Sequence, residues 1–199
     1  MQLHSQARQR GLMAIDLMGD LLNELNERLD RKPLGQPGLY RQLNKEYYDR
    51  VAAIEYSMAH DDGQHPEDWY QAEIILLGVS RVGKTPLSMY LSVLGWKVAN
   101  YPIVPDIPPP EALYKLDRRR VIGLRIELTQ LLALRQQRQR RLGIPGVGDY
   151  TNPEKIHAEL LYAEQIYRRG DFVVLQVSDK PIETSADEVI RLVTNRLRA

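Results

Sequence analysis

Hydrophobic residues recur at helical spacing along the N-terminal part of the chain. The first stripe comprises Ile15, Met18, Leu22, Leu25 and Leu29, and the second comprises Leu43, Tyr47, Val51, Ile54 and Met58. Intervals of three and four residues place such side chains on one face of an α-helix, with charged residues between them. The pattern therefore predicts a helical N-terminal segment, residues 1–70, that contains two amphipathic helices.

The pattern changes at about residue 71, where short apolar runs begin to alternate with longer stretches of helical period. The apolar runs are EIILLG, WKVANYPIV, RRRVIGLRI and DFVVLQVS. Strands that alternate with helices are typical of βαβ units and a parallel sheet. The predicted fold class is therefore α/β, with a mainly parallel sheet in a domain of residues 71–199.

Capping residues predict where several helices of this domain begin and end. Asn152 followed by Pro153 is typical of a helix start, and Gly143 is typical of a helix end. Ser185 and Glu188 have the spacing of a capping box, so the last helix is predicted to open at Ser185.

Composition narrows the classes of protein. The 199 residues are 43% hydrophobic with a net charge of +1, which favours a soluble globular protein without a general attraction to nucleic acid. The absence of cysteine excludes disulfides and thiolate metal sites, and it fits a cytoplasmic location. Asp16, Asp20 and Glu24 interrupt the N-terminal apolar residues, so we predict neither a signal peptide nor a membrane span.

The stretch GVSRVGKT, residues 78–85, lies between a predicted strand and a predicted helix. Gly78, Gly83, Lys84 and Thr85 match the phosphate-binding P-loop pattern G-x-x-x-x-G-K-[ST]. In a P-loop the backbone amides and the helix N-terminus surround phosphate oxygens, the lysine adds a charge, and the hydroxyl binds magnesium. The competing interpretation is a glycine-rich turn with a solvated lysine. The predicted nucleotide-binding residues are Gly78, Val79, Ser80, Arg81, Val82, Gly83, Lys84 and Thr85, with Thr85 also a magnesium ligand.

Pro86 directly follows the P-loop pattern, which is unusual because proline has no backbone N–H. A first helical turn accepts proline, but the phosphate cradle then has one donor fewer. We therefore expect a phosphate chain that is shorter than that of ATP, or placed differently.

Four arginines lie towards the end of one predicted helix: Arg135, Arg138, Arg140 and Arg141. Cations at a helix C-terminus are favourable because of the helix dipole alone. Docking of a partner and steering of phosphate are the alternative roles.

The string GVSRVGKTPLSMYL is preceded by RVAAIEYSMAHDDGQ and followed by KVANYPIVPDIPPPEALY. From about Leu17 to the C-terminus, the chain resembles the regulatory protein family of pyruvate, phosphate dikinase and phosphoenolpyruvate synthase. Members of that family phosphorylate a threonine of their target with ADP, and remove that phosphate with inorganic phosphate, releasing pyrophosphate. The segment VPDIPPPEALYKLD is more similar to the dikinase regulators. The resemblance implies ADP, phosphate and Mg²⁺ as cofactors and the dikinase or the synthase as protein substrate.

Members of this family usually begin with a further N-terminal portion, which contains a strand and a serine- and threonine-rich motif. The segment that follows this portion starts here at Met1. We therefore expect this chain to lack that portion.

The resemblance also directs attention to the stretch HDDG. Phosphoryl transfer to a threonine needs a carboxylate that orients or deprotonates the hydroxyl group. Asp62 is the predicted base and Asp61 the second candidate, while Lys84 would neutralise charge on the transferred phosphoryl group. Alternatively, both aspartates only cap a solvated turn.

Three classes of function stay open. The first is the bifunctional regulator, the second is a small-molecule P-loop kinase that prefers ATP, and the third is a non-catalytic remnant that binds the dikinase. Each is compatible with a homodimer, and none involves nucleic acid or a membrane.

Overall fold

A computed structural model describes residues 6–7, 9–13, 19–30, 39–143 and 148–198. Ile15 and Met18 of the first predicted stripe lie outside the described residues. Contacts divide the chain into two compact units, residues 1–42 and residues 43–199. The domain boundary near residue 70 remains a prediction.

The N-terminal part is helical, as predicted. Helix α1 spans Gly19–Leu29 and helix α2 spans Leu39–Ala59. The apolar stripe of α2 does not mark its buried face, because Tyr47 and Met58 are exposed whereas Ala53 and Ser57 are fully buried. Tyr56 is buried beside them, and its hydroxyl donates to the Asp68 carbonyl at 3.0 Å.

The domain is an α/β structure whose described residues form a four-stranded, all-parallel sheet in the order β2-β1-β3-β4. This confirms the predicted fold class. Short 3₁₀ turns at Asp61–Gly63 and Pro66–Gln71 precede the first strand. The remaining elements are β1 (Ile74–Gly78), α3 (Lys84–Val93), β2 (Val98–Pro102), α4 (Glu111–Lys115), β3 (Val121–Arg125), α5 (Leu128–Leu142), α6 (Pro153–Arg169), β4 (Val173–Gln176) and α7 (Ile182–Arg198).

The sheet is buried on both faces, which explains why its strands read as continuous apolar runs. Every residue of β1 is buried, and its Ile and Leu side chains each contribute roughly 1.5–3 kcal/mol to folding. Strand β1 is central and ends at Gly78, so the loop that follows emerges from the buried middle of the sheet. None of the described helices is both long and apolar enough to cross a bilayer.

Two of the three predicted caps are confirmed. The Asn152 side chain accepts hydrogen bonds from the amides of the first turn of α6, and Gly143 ends α5 with a left-handed φ of 65°. The predicted start of the last helix at Ser185 is wrong, because α7 already begins at Ile182. The Ser185 hydroxyl instead donates to the Pro181 carbonyl, 3.3 Å away, which is a bond available to serine inside a helix.

Candidate functional site

The glycine-rich loop, residues 78–85, connects the end of β1 to the start of α3. Gly83 has a φ of 103°, a conformation that strongly favours glycine, and it allows the chain to turn into α3 at Lys84. The Val82 amide donates to the Val79 carbonyl at 3.4 Å. Among the described residues, no acceptor receives the amides of Ser80, Arg81, Gly83, Lys84 and Thr85. An arrangement of unpaired amides at a helix N-terminus is suited to an anion.

Lys84 lies at the base of this loop with only 5% of its surface exposed. Its Nζ donates to the Val79 carbonyl at 3.2 Å. Burial lowers the pKa of Lys84 to about 8, and the nearby Asp62 and Asp61 carboxylates partly oppose this shift. An ammonium group held in a low-dielectric position interacts strongly with a phosphate placed beside it.

A cleft of about 440 Å³ opens above the loop. Asp62 and Arg81 both line it, as do the loop residues Ser80, Gly83, Lys84 and Thr85. Arg138 of α5 reaches the same cleft. We call the turn that carries Asp61 and Asp62 the acidic side, and the wall formed by Arg81 and Arg138 the basic side.

Asn100 of β2 organises the acidic side. Its Nδ2 donates to Asp61 Oδ1 at 2.5 Å, and its Oδ1 accepts the Asp62 amide at 3.1 Å. The Asn100 amide in turn donates to the His60 carbonyl at 3.1 Å. A fully buried asparagine in an apolar strand thus fixes the aspartate turn, which lies about 40 residues away in sequence.

Asp61 is also bonded to the glycine-rich loop, because the Thr85 hydroxyl donates to Asp61 Oδ1 at 2.9 Å. A hydroxyl and a carboxylate oxygen are the hard ligands that Mg²⁺ accepts, together with water and substrate phosphates. The described residues contain no cluster of three or more His, Asp or Glu side chains that would hold a metal by itself. The pair therefore fits a magnesium ion that shares its coordination with a nucleotide, and does not fit an all-protein metal site.

Asp62 differs from its neighbour. It has a left-handed φ of 49°, which aspartate tolerates better than most residues, and it is exposed to the cleft. Gly63 is needed next to it because a Cβ there would lie 3.0 Å from the Tyr101 ring. One aspartate of the pair is thus bonded to the loop, while the other faces the space in which a substrate would lie.

The sequence pattern places Arg135 with the arginines of a basic helix end. For Arg135 this prediction is wrong, because its side chain is buried inside the domain. Its guanidinium is fully buried and forms a bidentate ion pair with Glu159, with distances of 2.9 Å and 2.5 Å. It also donates to the carbonyls of Tyr150 and Ser80, each at 3.2 Å. The spacing of the arginines along α5 could not show that Glu159 of α6 would lie next to Arg135.

The bond from Arg135 to Ser80 has a geometric consequence for the loop. All described peptide bonds are trans, so the Ser80 carbonyl and the Arg81 N–H point in opposite directions. Because the carbonyl points to Arg135, the Arg81 amide points away from it. Arg135 therefore helps to hold one unpaired amide of the cradle in place.

The structure brings together the residues predicted for one site, namely residues 78–85, Asp61 and Asp62. Their catalytic and binding roles remain predictions. Sequence reasoning missed Asn100, Glu159 and the positioning role of Arg135. A polar residue inside an otherwise apolar strand run was the signal available for Asn100.

Comparisons with known proteins identify the family of this chain. A family model described as kinase/pyrophosphorylase matches residues 1–190. A protein of Chloroflexus aurantiacus is 49% identical over 195 residues, and one of Desulfotalea psychrophila is 46% identical over 197 residues. A protein of Listeria welshimeri is 40% identical over 189 residues.

These three relatives are named pyruvate, phosphate dikinase regulatory proteins. The matches cover 98%, 99% and 95% of this chain, and 70%, 70% and 69% of the respective relatives. Since both the family model and the relatives match nearly the whole chain, the chain belongs to the kinase/pyrophosphorylase family.

Proposed function

We propose that this protein is a bifunctional regulator of pyruvate, phosphate dikinase. It phosphorylates a threonine of the dikinase with ADP, and it removes that phosphate with inorganic phosphate to give pyrophosphate. The observation that carries this proposal is one cleft that combines five unpaired loop amides and the Lys84 ammonium with the Asp62 carboxylate, next to the hydrogen-bonded pair of Thr85 and Asp61. The names of the relatives supply the dikinase as target.

In the forward reaction, the β-phosphate of ADP binds to the loop amides beside Lys84. The threonine oxygen attacks the β-phosphorus, its proton passes to the Asp62 carboxylate, and the bond to the bridging oxygen breaks to release AMP. Thr85 and Asp61 would hold magnesium, which neutralises charge on the phosphates when it is bound. Asp62 suits the role of base because it faces the cleft, whereas Asp61 already accepts two hydrogen bonds.

In the reverse reaction, inorganic phosphate occupies the place of the departed nucleotide. A phosphate oxygen attacks the phosphothreonine phosphorus, the bond to the threonine oxygen breaks, and that oxygen receives the proton held by Asp62. Pyrophosphate then leaves. A single set of residues thereby serves both directions, since each reaction makes or breaks a bond to the same phosphoryl group.

A small-molecule P-loop kinase is the second candidate, because an anion cradle beside a lysine also suits ATP. A protein acceptor fits the open cleft better, since the acidic side lies at the surface and Asp62 is exposed. We place the reaction in the cytoplasm, because a chain without cysteine needs no oxidising compartment to form disulfides.

The test incubates the chain with dikinase, ADP and Mg²⁺, and measures phosphothreonine by mass spectrometry. Addition of phosphate afterwards should remove the modification and yield pyrophosphate. Lys84→Met should reduce both rates by about 10³-fold or more, because the cradle loses its buried charge. Lys84→Arg serves as a matched control that keeps the charge.

Each outcome discriminates among the three classes. Turnover of ATP without dikinase would indicate the small-molecule kinase. Binding to dikinase without modification of its threonine would indicate a non-catalytic remnant. A Lys84→Met variant that loses only one of the two activities would require separate sites and would contradict the shared cleft.

A further inference from the structure

A second depression, of about 170 Å³, adjoins the cleft at its basic side. Arg81 and Arg138 line both spaces, and Arg141 extends the second one along α5. The remaining lining residues are Leu134, Gln137 and Leu142. Three arginines from two different elements therefore line one depression beside the glycine-rich loop.

Some of the other arginines of the fold have an acidic partner. Arg125 pairs with Glu164, and Arg135 pairs with Glu159. Within the described part of the chain, Arg81, Arg138 and Arg141 make no ion pair and no side-chain hydrogen bond. A depression that is lined by three arginines and by no carboxylate has a positive potential that attracts an anion.

Two further observations point to a ligand. Arg81 adopts a left-handed φ of 75°, which is rare for a long side chain and occurs preferentially at functional sites. The helix dipole explains why arginines lie at the end of α5, but it does not explain why Arg81 of the loop meets them. The feature that requires an explanation is therefore that Arg81 of the loop lines the same depression as Arg138 and Arg141 of α5.

The proposed reactions contain such an anion. In the forward direction the site holds the β- and α-phosphates of ADP, and in the reverse direction it holds inorganic phosphate next to phosphothreonine. Both directions thus place two adjacent phosphoryl groups in the cleft. The loop amides and Lys84 surround only one of them, which leaves the charge of the second without a partner.

We propose that Arg138 and Arg141, together with Arg81, form a site for this second phosphoryl group. The assignment rests on the proposed function and adds two residues of α5 to the groups that bind substrate. Arginine suits the role because its planar fork donates two parallel hydrogen bonds to phosphate oxygens. The acidic side cannot serve instead, because Asp61 and Asp62 would repel a phosphate that is not bound to magnesium.

The experiment measures binding of orthophosphate, pyrophosphate and ADP by calorimetry with the full chain and Mg²⁺. Arg138→Gln and Arg141→Gln should each weaken binding of pyrophosphate and of ADP by roughly tenfold, because each removes a charge-assisted contact. Without phosphothreonine in the cleft, orthophosphate should bind to the loop amides and Lys84, so its affinity should change by no more than about twofold to threefold.

Arg140→Gln is the matched control. Arg140 lies on the same helical turn and carries the same charge, but it lines neither the cleft nor the adjoining depression. This variant should bind all three ligands within about twofold of the wild type, because only the general positive field changes.

The outcomes separate this assignment from the proposed function. If wild-type chain binds pyrophosphate and ADP but Arg138→Gln and Arg141→Gln bind them equally well, the second-phosphoryl site is wrong and the proposed function survives. An equal loss for orthophosphate, or an equal loss in Arg140→Gln, would also overturn the site, because it would indicate a diffuse charge effect. If Arg138→Gln and Arg141→Gln weakened binding of ADP but not of pyrophosphate, a site that serves both the forward and the reverse reaction would be wrong. If the wild type binds none of the ligands, both proposals fail.

Discussion

The two sides of the cleft are built in opposite ways. On the acidic side, Asp61 is bonded to Thr85 and Asn100, and the Asp62 amide is bonded to the same asparagine. On the basic side, Arg81 and Arg138 are exposed side chains without a partner among the described residues. The acidic side, which we propose positions the threonine hydroxyl, is thus hydrogen-bonded before any substrate arrives, whereas the arginines of the basic side are free to adjust to different phosphate-bearing ligands.

A similar contrast exists within helix α5. Arg135 and Arg138 are one turn apart, but Arg135 is fully buried with Glu159 whereas Arg138 lies open to the cleft. Arg135 donates a hydrogen bond to the Ser80 carbonyl of the glycine-rich loop, and Arg138 lines the cleft in which we propose that the ligand binds. Residue type and sequence spacing alone do not distinguish these roles, since the partner on α6 decides them.

The largest effect should come from Asp62 on the acidic side. Asp62→Asn removes the proposed base and should slow threonine phosphorylation by about 10²–10⁴-fold while ADP affinity stays nearly unchanged. Single-turnover kinetics with saturating dikinase would measure the rate, and calorimetry would measure the affinity.

Asp61→Asn provides the comparison within the same turn. It should raise the magnesium concentration needed for half-maximal rate, because a carboxylate ligand is lost beside Thr85. Should Asp61→Asn slow the saturated rate more than Asp62→Asn does, the two assigned roles would have to be exchanged.

The next effect concerns the buried pair behind the loop. Arg135→Met leaves Glu159 with an uncompensated charge and should lower the free energy of unfolding by about 3 kcal/mol. The double variant Arg135→Met/Glu159→Leu should recover most of this stability in a denaturant titration, since two apolar side chains can replace a buried pair.

Orthophosphate affinity separates positioning from stability in these variants. The double variant should still bind phosphate several-fold more weakly, roughly fivefold, because nothing then holds the Ser80 carbonyl. Full recovery of both stability and phosphate affinity would show that Arg135 contributes only to folding.

A smaller effect should appear as pH changes. Burial lowers the pKa of Lys84 to about 8, so its charge is lost as pH rises through that value in the unliganded chain. Orthophosphate affinity should therefore fall above pH 8, by at most about tenfold per pH unit, whereas Lys84→Arg should stay flat over the same range.

The lowered pKa of Lys84 should affect the free energy of unfolding in the opposite direction from phosphate affinity. Between pH 8 and the ordinary lysine pKa of 10.5, the unfolded chain binds more protons than the folded chain. The contribution of Lys84 to the free energy of unfolding should therefore increase with pH in this window. A denaturant series on the wild type and Lys84→Met would show the difference, and a contribution that decreases with pH would contradict the burial of the ammonium group.

The smallest effect concerns Pro86, which leaves the first turn of α3 without one amide donor. We expect calorimetry to give an ADP affinity equal to or greater than the ATP affinity. Pro86→Ala should raise ATP affinity by only about twofold to fivefold, because it restores one solvent-accessible donor. A clear preference of the wild type for ATP would argue against the interpretation of this residue.

Much of the fold could be predicted because the chain's local patterns agree with its tertiary structure. Continuous apolar runs identified the buried parallel strands, and Asn152 and Gly143 identified helix ends. The prediction for Ser185 was wrong because a serine three residues before a glutamate can cap a helix or lie within its first turn. The sequence pattern is the same in both cases.

The site was predictable only where its residues are contiguous. The glycine-rich loop and the HDDG turn each form a short string, so they could be found by inspection. Asn100 and Glu159 act across the fold, and their importance depends on which strands and helices become neighbours. Neither residue could be assigned without the topology that brings them to the loop.

The bond between Lys84 and the Val79 carbonyl also bears on how quickly a ligand can enter. Before any phosphate arrives, this bond uses one of the three N–H donors of the ammonium group, which does not extend into solvent. The other two donors remain available to an incoming anion, so the lysine need not leave the Val79 carbonyl when the anion binds. The loop can therefore keep nearly one shape through a catalytic cycle, so release of product need not wait for refolding of the cradle.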